Sequence, residues 1–571
     1  MIETEFSLKL NFCHPAPHVF TVRNLLHEGD SKFLHDPQGN EPMKRSKTIH
    51  SLTVALLLVV LNDMVFSQYP NVRVSNAGNP EEVTIAINPA NSLNLAAGAN
   101  LRFYYYSTDG GYTWAAGELT STYGVWGDPC VVFDAAGNLF YGHLSNYDLG
   151  YWLDRIVVQK STTGGSTWTG GVGIGLNPPA QQDKEWLAVD LTNKRTRNNL
   201  YITWTEFDSY GSSNPNDSSR ILFSRSTDFG GTWSVPTRVS DRAGDCIDSD
   251  STVEGAVPAV GPNGEIYVSW SGPLGIMFDR STDAGLTFGL DVFVTSQPGG
   301  WDYNVSGIYR ANGLPITACD MSYSPYRGNV YVQWTDQRNG ETNTDVFFIK
   351  STDRGMTWGP VKRVNDDSTT RYQFFSWMTV DRVTGYIYVV FYDRRSTTGD
   401  ATDVYVARST DGGETFSNMR VSNSSFTPVS SVFFGDYINI DAYNRKIYPI
   451  WMRMDGSVLS VWIAIMSDST TVVEERAQTP PRFGLAQNYP NPFNPSTVIE
   501  YDVPALGAST VPVRLSVYSV VGQEVAVLVD DSRLPGHYQA AFSGKQYPSG
   551  LYFYRLQAGG NVATKKMILL K

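Results

Sequence analysis

An eight-residue motif recurs six times between residues 107 and 416. The copies read STDGGYTW at 107, STTGGSTW at 161, STDFGGTW at 226, STDAGLTF at 281, STDRGMTW at 351 and STDGGETF at 409. Each follows an apolar or aromatic run and precedes another short strand, so we expect it at a hairpin turn, where Asp accepts amide protons and Gly supplies a positive φ. The intervals of 54 to 70 residues predict one supersecondary unit per copy, with loops of variable length.

A second pattern precedes each motif: an apolar strand, a turn rich in Asp, Asn and Gly, and a strand that ends in an aromatic residue. PAVGPNGEIYVSW and MSYSPYRGNVYVQW are examples, and seven such units can be found. Four-stranded units repeated around an axis predict an all-β, seven-bladed β-propeller, with six blades as the alternative. The last unit runs out before its fourth strand, and we expect NVRVSN at 71–76 to complete it and remove an open sheet edge.

The motif resembles the Asp box, or BNR repeat, of the sialidase (neuraminidase) superfamily, and the resemblance covers residues 69 to about 470. It implies that the boxes are structural and lie away from the active site. The box carboxylates are Asp109, Asp228, Asp283, Asp353 and Asp411, and Thr163 replaces Asp in the second copy. The family's catalytic set implies a Tyr nucleophile assisted by Glu, an Asp acid/base and three Arg, the first in an Arg-Ile-Pro motif. Here NPEEVTIAIN stands at that place, without Arg.

Acidic residues recur where we expect the innermost strands to begin, the end of a propeller where central ligands bind. They are Glu82, Asp128, Asp183, Glu185, Glu254, Asp320 and Asp436, beside Tyr437 and Trp186. Carboxylates that converge on the axis repel one another, which raises some pKa values or recruits a cation. The alternative is that they cap strands and bind loop amides. For hydrolysis, Tyr437 is the candidate nucleophile, Glu254 its helper and Asp128 a further catalytic candidate.

A second candidate cluster consists of arginines that follow the second strands of the late units. Arg338, Arg394, Arg395 and Arg453 could together bind a carboxylate or phosphate ligand. The alternative is local ion pairing with Asp336 and Asp393, which is common and contributes little.

Composition narrows the chemistry. The net charge of −12, with no Lys/Arg-rich block, argues against nucleic-acid binding. Five of seven histidines precede residue 68, which leaves no multi-His zinc cluster. We expect no required cofactor, with a structural calcium ion as the alternative and its ligands undefined. Cys246 and Cys319 fall in equivalent entrance loops at the starts of inner strands of adjacent units, so a disulfide between them is feasible in an oxidising compartment, and Cys130 is expected to be a buried thiol.

The N-terminal region predicts export. From Met43 the chain has a basic start, an apolar run too short to span a membrane and a small residue at Ser67, as in a signal peptide at 43–67. Residues 1–42 then form an upstream extension from a misassigned start. The alternative is a cytoplasmic extension ahead of a signal anchor.

The chain is expected to continue from the propeller (68–470) through a polar linker (471–482) into a small immunoglobulin-like β-sandwich (483–571). NYPNPFNP, VYSVVGQEV and SGLYFYRL in this last segment resemble the type A C-terminal sorting domain of the type IX secretion system. That resemblance implies recognition by the secretion machinery at the outer membrane and release or attachment at the cell surface.

The function expected from the sequence is a secreted or surface-attached, carbohydrate-directed propeller. It would be a sialidase-like exo-glycosidase or, alternatively, a non-catalytic propeller or adhesin that binds glycans or proteins. Glycans or glycoproteins are the expected partners, the mature chain is expected to lack a transmembrane segment, and we expect a monomer.

Overall fold

The computed structural model describes residues 69–146, 152–468, 483–488, 490–504, 511–533 and 536–570. It divides the chain after Ser467 into two compact units. The expected extension 1–42, signal peptide 43–67 and linker 471–482 lie outside the described residues. Within the described residues, no helix has the length and apolar character needed to cross a membrane.

The first unit is built from strands that pair almost entirely with their neighbours in sequence. Its first seventeen strands are β1 (Asn71–Ser75), β2 (Glu81–Ile87), β3 (Leu95–Asn100), β4 (Phe103–Ser107), β5 (Ala115–Glu118), β6 (Cys130–Phe133), β7 (Leu139–Leu144), β8 (Ile156–Ser161), β9 (Val172–Ile174), β10 (Gln181–Val189), β11 (Leu200–Phe207), β12 (Ser219–Ser226), β13 (Thr237–Arg238), β14 (Glu254–Val260), β15 (Ile266–Gly272), β16 (Gly275–Ser281) and β17 (Val292–Thr295). The remaining strands are β18 (Asp302–Tyr303), β19 (Ala311–Asn312), β20 (Ile316–Cys319), β21 (Val330–Asp336), β22 (Asp345–Ser351), β23 (Lys362–Arg363), β24 (Gln373–Val380), β25 (Ile387–Asp393), β26 (Asp403–Ser409), β27 (Ser417–Arg420), β28 (Asn439–Tyr443), β29 (Lys446–Asp455), β30 (Val458–Ala464) and β31 (Met466–Ser467).

These strands form four-stranded antiparallel sheets arranged as a closed ring. In chain order the sheets are β2–β5, β6–β9, β10–β13, β14–β17, β20–β23, β24–β27 and β28–β29–β30–β1, with β31 also paired to β29. The first strand of each sheet contacts the first strand of the next, and β28 contacts β2. The sheets therefore surround a central axis, which is the architecture of a β-propeller. Below, the end of the ring at which these first strands begin is called the mouth.

The ring closes through the N-terminal strand. β1 pairs antiparallel with β30, Asn71 opposite Ala464 and Val72 opposite Ile463, as the NVRVSN segment predicted. This pairing confirms the expected closure, and it also explains the motif count. The motif lies between the third and fourth strands of a sheet, and in the last sheet that connection does not exist because its fourth strand comes from the other end of the first unit.

Each motif copy forms the hairpin turn that the sequence predicts. In the first, Asp109 Oδ1 accepts from the Thr113 amide at 3.0 Å and Oδ2 from the Thr113 hydroxyl at 2.6 Å. Ser107 Oγ donates to Asp109 at 2.8 Å and accepts from the Gly111 amide at 2.9 Å. These bonds to the charged carboxylate hold the pKa of Asp109 at about 2. In the second copy, Thr163 Oγ1 takes the carboxylate's place and accepts from the Thr167 amide at 2.9 Å.

The mouth end of four first strands carries a β-bulge. The register shifts between Glu81 and Thr84 in β2, and at the equivalent place in β10, β14 and β24. Within these bulges Glu82, Lys184 and Phe375 have φ of 48°, 52° and 45°. Non-glycine residues rarely adopt this left-handed region, and they cluster at functional sites when they do. The bulges re-aim the side chains at the mouth.

The three cysteines in the part of the chain that the structure describes form no disulfide. Cys130, Cys246 and Cys319 are all free and buried, so the prediction of a Cys246–Cys319 bond is wrong and that of a buried Cys130 thiol is confirmed. The backbone of Cys246 forms an isolated antiparallel β-bridge with Ser212 on the mouth side. Cys319 is the last residue of β20, at the opposite end of the ring. The sequence placed Cys319 at the start of an inner strand, but that strand begins at Ile316.

The second unit contains two antiparallel sheets. Its strands are β32 (Gly484–Leu485), β33 (Ser496–Val503), β34 (Val511–Ser519), β35 (Glu524–Arg533), β36 (Gly536–Ser543), β37 (Gly550–Ala558) and β38 (Asn561–Leu569). One sheet has the order β32–β33–β36 and the other β35–β34–β37–β38. Both contribute to one apolar core, with Ile499 and Phe542 from the first sheet and Leu515 and Tyr554 from the second.

Candidate functional site: an acidic funnel at the mouth of the ring

Two connected cavities open at the mouth. The central cavity is lined by Asp128, Lys184, Glu185, Trp186 and Tyr437 among others. The side cavity is lined by Asp248, Glu254, Trp301, Arg310 and others. Lys184, Asn312, Leu314 and Asp436 line both cavities. We call the two cavities together the funnel.

Asp436 lies at the centre of the funnel between its two cations. Its Oδ2 is 2.6 Å from Lys184 Nζ, and its Oδ1 accepts from Arg310 Nε at 2.7 Å. Asn312 Nδ2 donates to its backbone oxygen at 2.9 Å. Although burial opposes it, the attraction of Lys184 and then of Arg310 lowers the pKa of Asp436. Asp436 is therefore the permanently charged carboxylate of the site.

Lys184 also contacts a second carboxylate. Its Nζ lies 3.3 Å from Asp128 Oδ2, and the surrounding carboxylates raise its pKa despite burial. The Asp128 amide donates to Asn100 Oδ1 at 2.8 Å, and Asn100 in turn donates to Glu82. Burial, and next the charge of Asp128, raise the pKa of Glu82. This network joins the first three sheets at the mouth.

Two buried glutamates line the funnel. Glu185 is 1% exposed and Glu254 0%; among the described residues no side chain hydrogen-bonds to the Glu185 carboxyl, whereas the Glu254 carboxyl shares a side-chain hydrogen bond with Asp248. Burial raises both pKa values, reinforced by the charge of Asp128 for Glu185 and of Asp248 for Glu254. Both groups are therefore held in the neutral acid form, which can donate as well as accept. A buried polar group without a partner is costly, so the Glu185 carboxyl points to an external ligand.

The pKa values of two neighbouring acids at the mouth, Asp183 and Glu81, are also raised. Burial and the charge of Asp128 raise the pKa of Asp183 to about 8. Burial and the charge of Asp436 raise that of Glu81 to about 7. The mouth thus holds acids that titrate near neutral pH.

The floor of the central cavity is aromatic. The rings of Trp186 and Trp377 lie with their centroids 4.2 Å apart, and Tyr437 packs edge-on against Trp186 at 5.6 Å. Both tryptophans also line the channel that follows the axis beyond them. The pair therefore separates the funnel from this axial channel.

Tyr437, the candidate nucleophile, lines the central cavity together with Asp128. Its hydroxyl donates to the backbone oxygen of Pro129 at 3.1 Å. Burial and the nearby charges of Asp128 and Glu82 raise its pKa well above the usual value, so the phenol is held neutral. Glu254, its candidate helper, lines the side cavity instead.

The four candidate arginines lie in or directly after the second strands of three different sheets, and none lines the funnel cavities. Arg338 pairs with Asp336, Nε to Oδ1 at 2.9 Å, and Arg395 pairs with Asp393, Nε to Oδ2 at 2.7 Å. Arg394 is buried against Asp400 at 3.1 Å. Arg453 pairs with Asp455 at 2.8 Å. Each guanidinium is thus bound to its own local carboxylate.

Asp320 lies at the far end of the ring, not at the mouth. It follows β20 and accepts from the Ser322 amide at 2.7 Å and the Ser324 hydroxyl at 2.6 Å. It is a turn residue, like Asp134, Asp190 and Asp381 after other first strands. Its placement in the funnel is therefore corrected, and the cause is the same misplaced strand start as for Cys319.

Sequence reasoning missed the two cations. Lys184 stands between Asp183 and Glu185, and a pattern of recurring acids does not single out the cation between them. Arg310 belongs to the loop of the hairpin β18–β19, which is inserted between the fourth and fifth sheets. The signal for that insertion was the 70-residue interval between motif copies, the longest of the five.

Metal binding finds no support in side-chain geometry. Across the described residues, no group of three or more His, Cys, Asp or Glu side chains is arranged to hold a metal ion. Lys184 and Arg310 already supply the positive charge between the carboxylates of the funnel.

The comparisons with known proteins bear on both units. Residues 487–570 match the model of the secretion system C-terminal sorting domain, and residues 105–116 match the BNR/Asp-box repeat. The chain therefore combines an Asp-box propeller with a sorting domain, and a domain of this kind supports secretion or a cell-surface location. No curated protein matches the chain in sequence.

Three solved structures illustrate what the chain resembles in shape. A protein of unknown function from Dyadobacter fermentans has 13% identity over 71% of this chain and 99% of its own, with a TM-score of 0.40. An α-L-arabinanase from Penicillium chrysogenum has 13% identity over 70% and 97%, with a TM-score of 0.39. A sialidase from Trypanosoma rangeli has 11% identity over 80% and 85%, with a TM-score of 0.36. The ring of sheets itself, rather than these likenesses, defines the fold.

Proposed function

We propose that this protein is a secreted or surface-attached, seven-bladed β-propeller that binds neutral carbohydrate in its funnel. The observation that carries the proposal is the buried Glu185 carboxyl, which has no described partner and lies beside the Trp186–Trp377 pair. A sugar presents hydroxyls that can pair with such carboxyls and an apolar face that can stack on an aromatic ring. The funnel offers both within one cavity.

The charge of the funnel favours a neutral ligand. Its carboxyl groups outnumber the two cations that line it, and Asp436 already engages both. An acidic sugar would bring a further negative charge into this buried cluster, which costs free energy unless a free cation meets it. We therefore infer that neutral sugars bind in preference to sialic acid.

The remaining parts of the proposal concern delivery. A signal peptide at 43–67 takes the chain across the inner membrane. The sorting domain, an immunoglobulin-like sandwich, is then recognised by the type IX secretion machinery, which releases the protein or attaches it to the outer surface. The match of residues 487–570 supports this route.

A glycan array tests the binding role, with the full chain probed against neutral and sialylated glycans. We expect neutral glycans to bind, and Glu185→Ala to lose the signal. Glu118→Ala is the matched control, because Glu118 is an exposed glutamate on the edge strand β5. Preferential binding of sialylated glycans, or a Glu185→Ala variant that binds as the wild type does, would contradict the proposal.

A second candidate function is sialidase-like hydrolysis, favoured by Tyr437, Asp128 and Glu185 lining one cavity. Turnover of a fluorogenic sialoside that disappears in Tyr437→Phe would support it. Absence of turnover with retained glycan binding leaves the non-catalytic role.

A further inference from the structure

A continuous series of contacts crosses the mouth beside the side cavity. Trp152 packs edge-on against Tyr210, with centroids 5.4 Å apart, and the Tyr210 hydroxyl donates to Asp248 Oδ2 at 2.5 Å. Asp248 Oδ2 lies 3.9 Å from Arg310 Nη1. The Arg310 guanidinium in turn stands 5.0 Å above the centre of the Phe433 ring. The last member, Tyr309, packs against Phe433 at 5.8 Å.

The series has exposed aromatic rings at its two ends and polar groups in its middle. Trp152 is 44% exposed and Tyr309 60%. The middle members, Asp248 and Arg310, line the side cavity beside Glu254. We call these six residues the aromatic strip: Trp152, Tyr210, Asp248, Arg310, Phe433 and Tyr309.

The members of the strip come from separate loops. Trp152 precedes β8, Tyr210 follows β11, Asp248 precedes β14, and Phe433 precedes β28. Arg310 and Tyr309 lie in the β18–β19 hairpin. Loops of different sheets thus hold one another in place, so both exposed rings are anchored by contacts to the funnel.

From this arrangement we propose that the ligand is an oligosaccharide chain, with one sugar in the funnel and further sugars stacked on Trp152 and Tyr309. A single sugar ring cannot fill the funnel and also cover both exposed rings, because Trp152 lies on the Asp248 side of the side cavity and Tyr309 on the Arg310 side. The faces of Trp152 and Tyr309, held beside a polar cavity, can stack on the apolar faces of further sugar rings. The inference rests on the proposed function and adds the length of the ligand to it.

The test is affinity as a function of chain length. Isothermal titration of the full chain uses neutral xylo-, arabino-, manno- and cello-oligosaccharides of one to six units. We expect affinity to increase with length for the series that binds. Trp152→Ala and Tyr309→Ala should each weaken binding of the long oligomers by about three- to tenfold, the loss expected for one stacking contact, and leave the shortest ligand unaffected.

Tyr112→Ala is the matched control, since Tyr112 is also 60% exposed but lies in the first Asp-box turn. The double variant Trp152→Ala/Tyr309→Ala should bind all lengths equally. Short and long oligomers that bind the wild type equally, or variants that bind long oligomers as the wild type does, would overturn this inference and leave the proposed function standing. If no oligomer of any length binds, both fail together.

Discussion

The ammonium group of Lys184 lies 2.6 Å from the carboxylate of Asp436, a residue 252 positions further along the chain. Lys184 belongs to the first strand of the third sheet, and Asp436 to the loop that enters the seventh. The ion pair therefore crosses the mouth of the ring. It holds together two sheets that are not neighbours, at the place where the ligand is proposed to bind.

Replacing Lys184 should destabilise the first unit. Lys184→Met leaves Asp436 and Asp128 buried with less compensation, and loss of one partner of a buried pair costs about 3–5 kcal/mol. We expect a lower free energy of unfolding in denaturant, and partial recovery in Lys184→Met/Asp436→Asn. Lys350→Met is the control, because Lys350 pairs with the exposed Glu414 and should change stability by less than about 1 kcal/mol. Equal effects of the two substitutions would show that the pair across the mouth has no special role.

The buried acids at the mouth should make the protein less stable as pH rises. Asp183 has a pKa of about 8 in the fold and about 3.9 in an unfolded chain. Between those values the folded state holds a proton that the unfolded state has released, so stability falls as pH increases from about 4 to about 8. Asp183→Asn removes this group.

The measurement is the melting temperature at pH 5 and pH 8 for the wild type and Asp183→Asn. From pH 5 to pH 8 the melting temperature of Asp183→Asn should decrease less than that of the wild type, by a difference of about 2 °C or more. His143, the buried histidine of β7 with its pKa lowered to about 4, stays neutral in the fold over this range, and its protonation in the unfolded chain affects the wild type and the variant equally. Parallel pH profiles would contradict the buried-acid account of Asp183.

The second Asp box offers a stabilising substitution. Thr163 Oγ1 alone contacts both the Thr167 amide, at 2.9 Å, and the Thr167 hydroxyl, at 2.8 Å, whereas each Asp of the other boxes accepts these two bonds on separate oxygens of a charged carboxylate. Thr163→Asp should replace these neutral hydrogen bonds with charge-assisted ones and raise the free energy of unfolding by about 0.5–1.5 kcal/mol. The gain should disappear as pH falls from about 4 to about 2, because the carboxylate protonates there.

The converse substitution, Asp411→Thr, serves as the matched comparison and should lower stability by a similar amount. Asp411 makes the full set of box contacts, including bonds from the amide and hydroxyl of Thr415. A Thr163→Asp variant no more stable than the wild type would contradict the prediction, because the contacts of Thr163 would then stabilise the turn as well as those of an Asp.

The local features of the fold could be predicted because each is encoded in a short stretch of chain. The Asp-box turns, the apolar first strands and the pairing of β1 with the last sheet all follow from motifs of six to eight residues. The error concerns one strand start: the sequence pattern places Cys319 and Asp320 at the mouth, but β20 begins at Ile316, before both residues. A shift of a few residues along a short strand moves a side chain to the opposite end of the ring.

The composition of the site was only partly predictable. Glu82, Asp128, Glu185, Glu254 and Asp436 recur at equivalent positions, so their pattern is visible in the sequence. Arg310 is not visible in this way, because it lies in an inserted hairpin with no counterpart in the other units. Its contact with Asp436 depends on how that hairpin folds over the mouth, which no local pattern encodes.

The most direct test of the central claim compares two substitutions at one buried group. Isothermal titration of the full chain with a neutral oligosaccharide should give similar affinities for the wild type and Glu185→Gln, because the amide mimics the neutral carboxyl that burial favours. Glu185→Ala should weaken binding by about tenfold, as expected for the loss of a buried hydrogen-bonding group. A Glu185→Ala variant that retains wild-type affinity would contradict the account, because the ligand would then not need the carboxyl that defines the funnel.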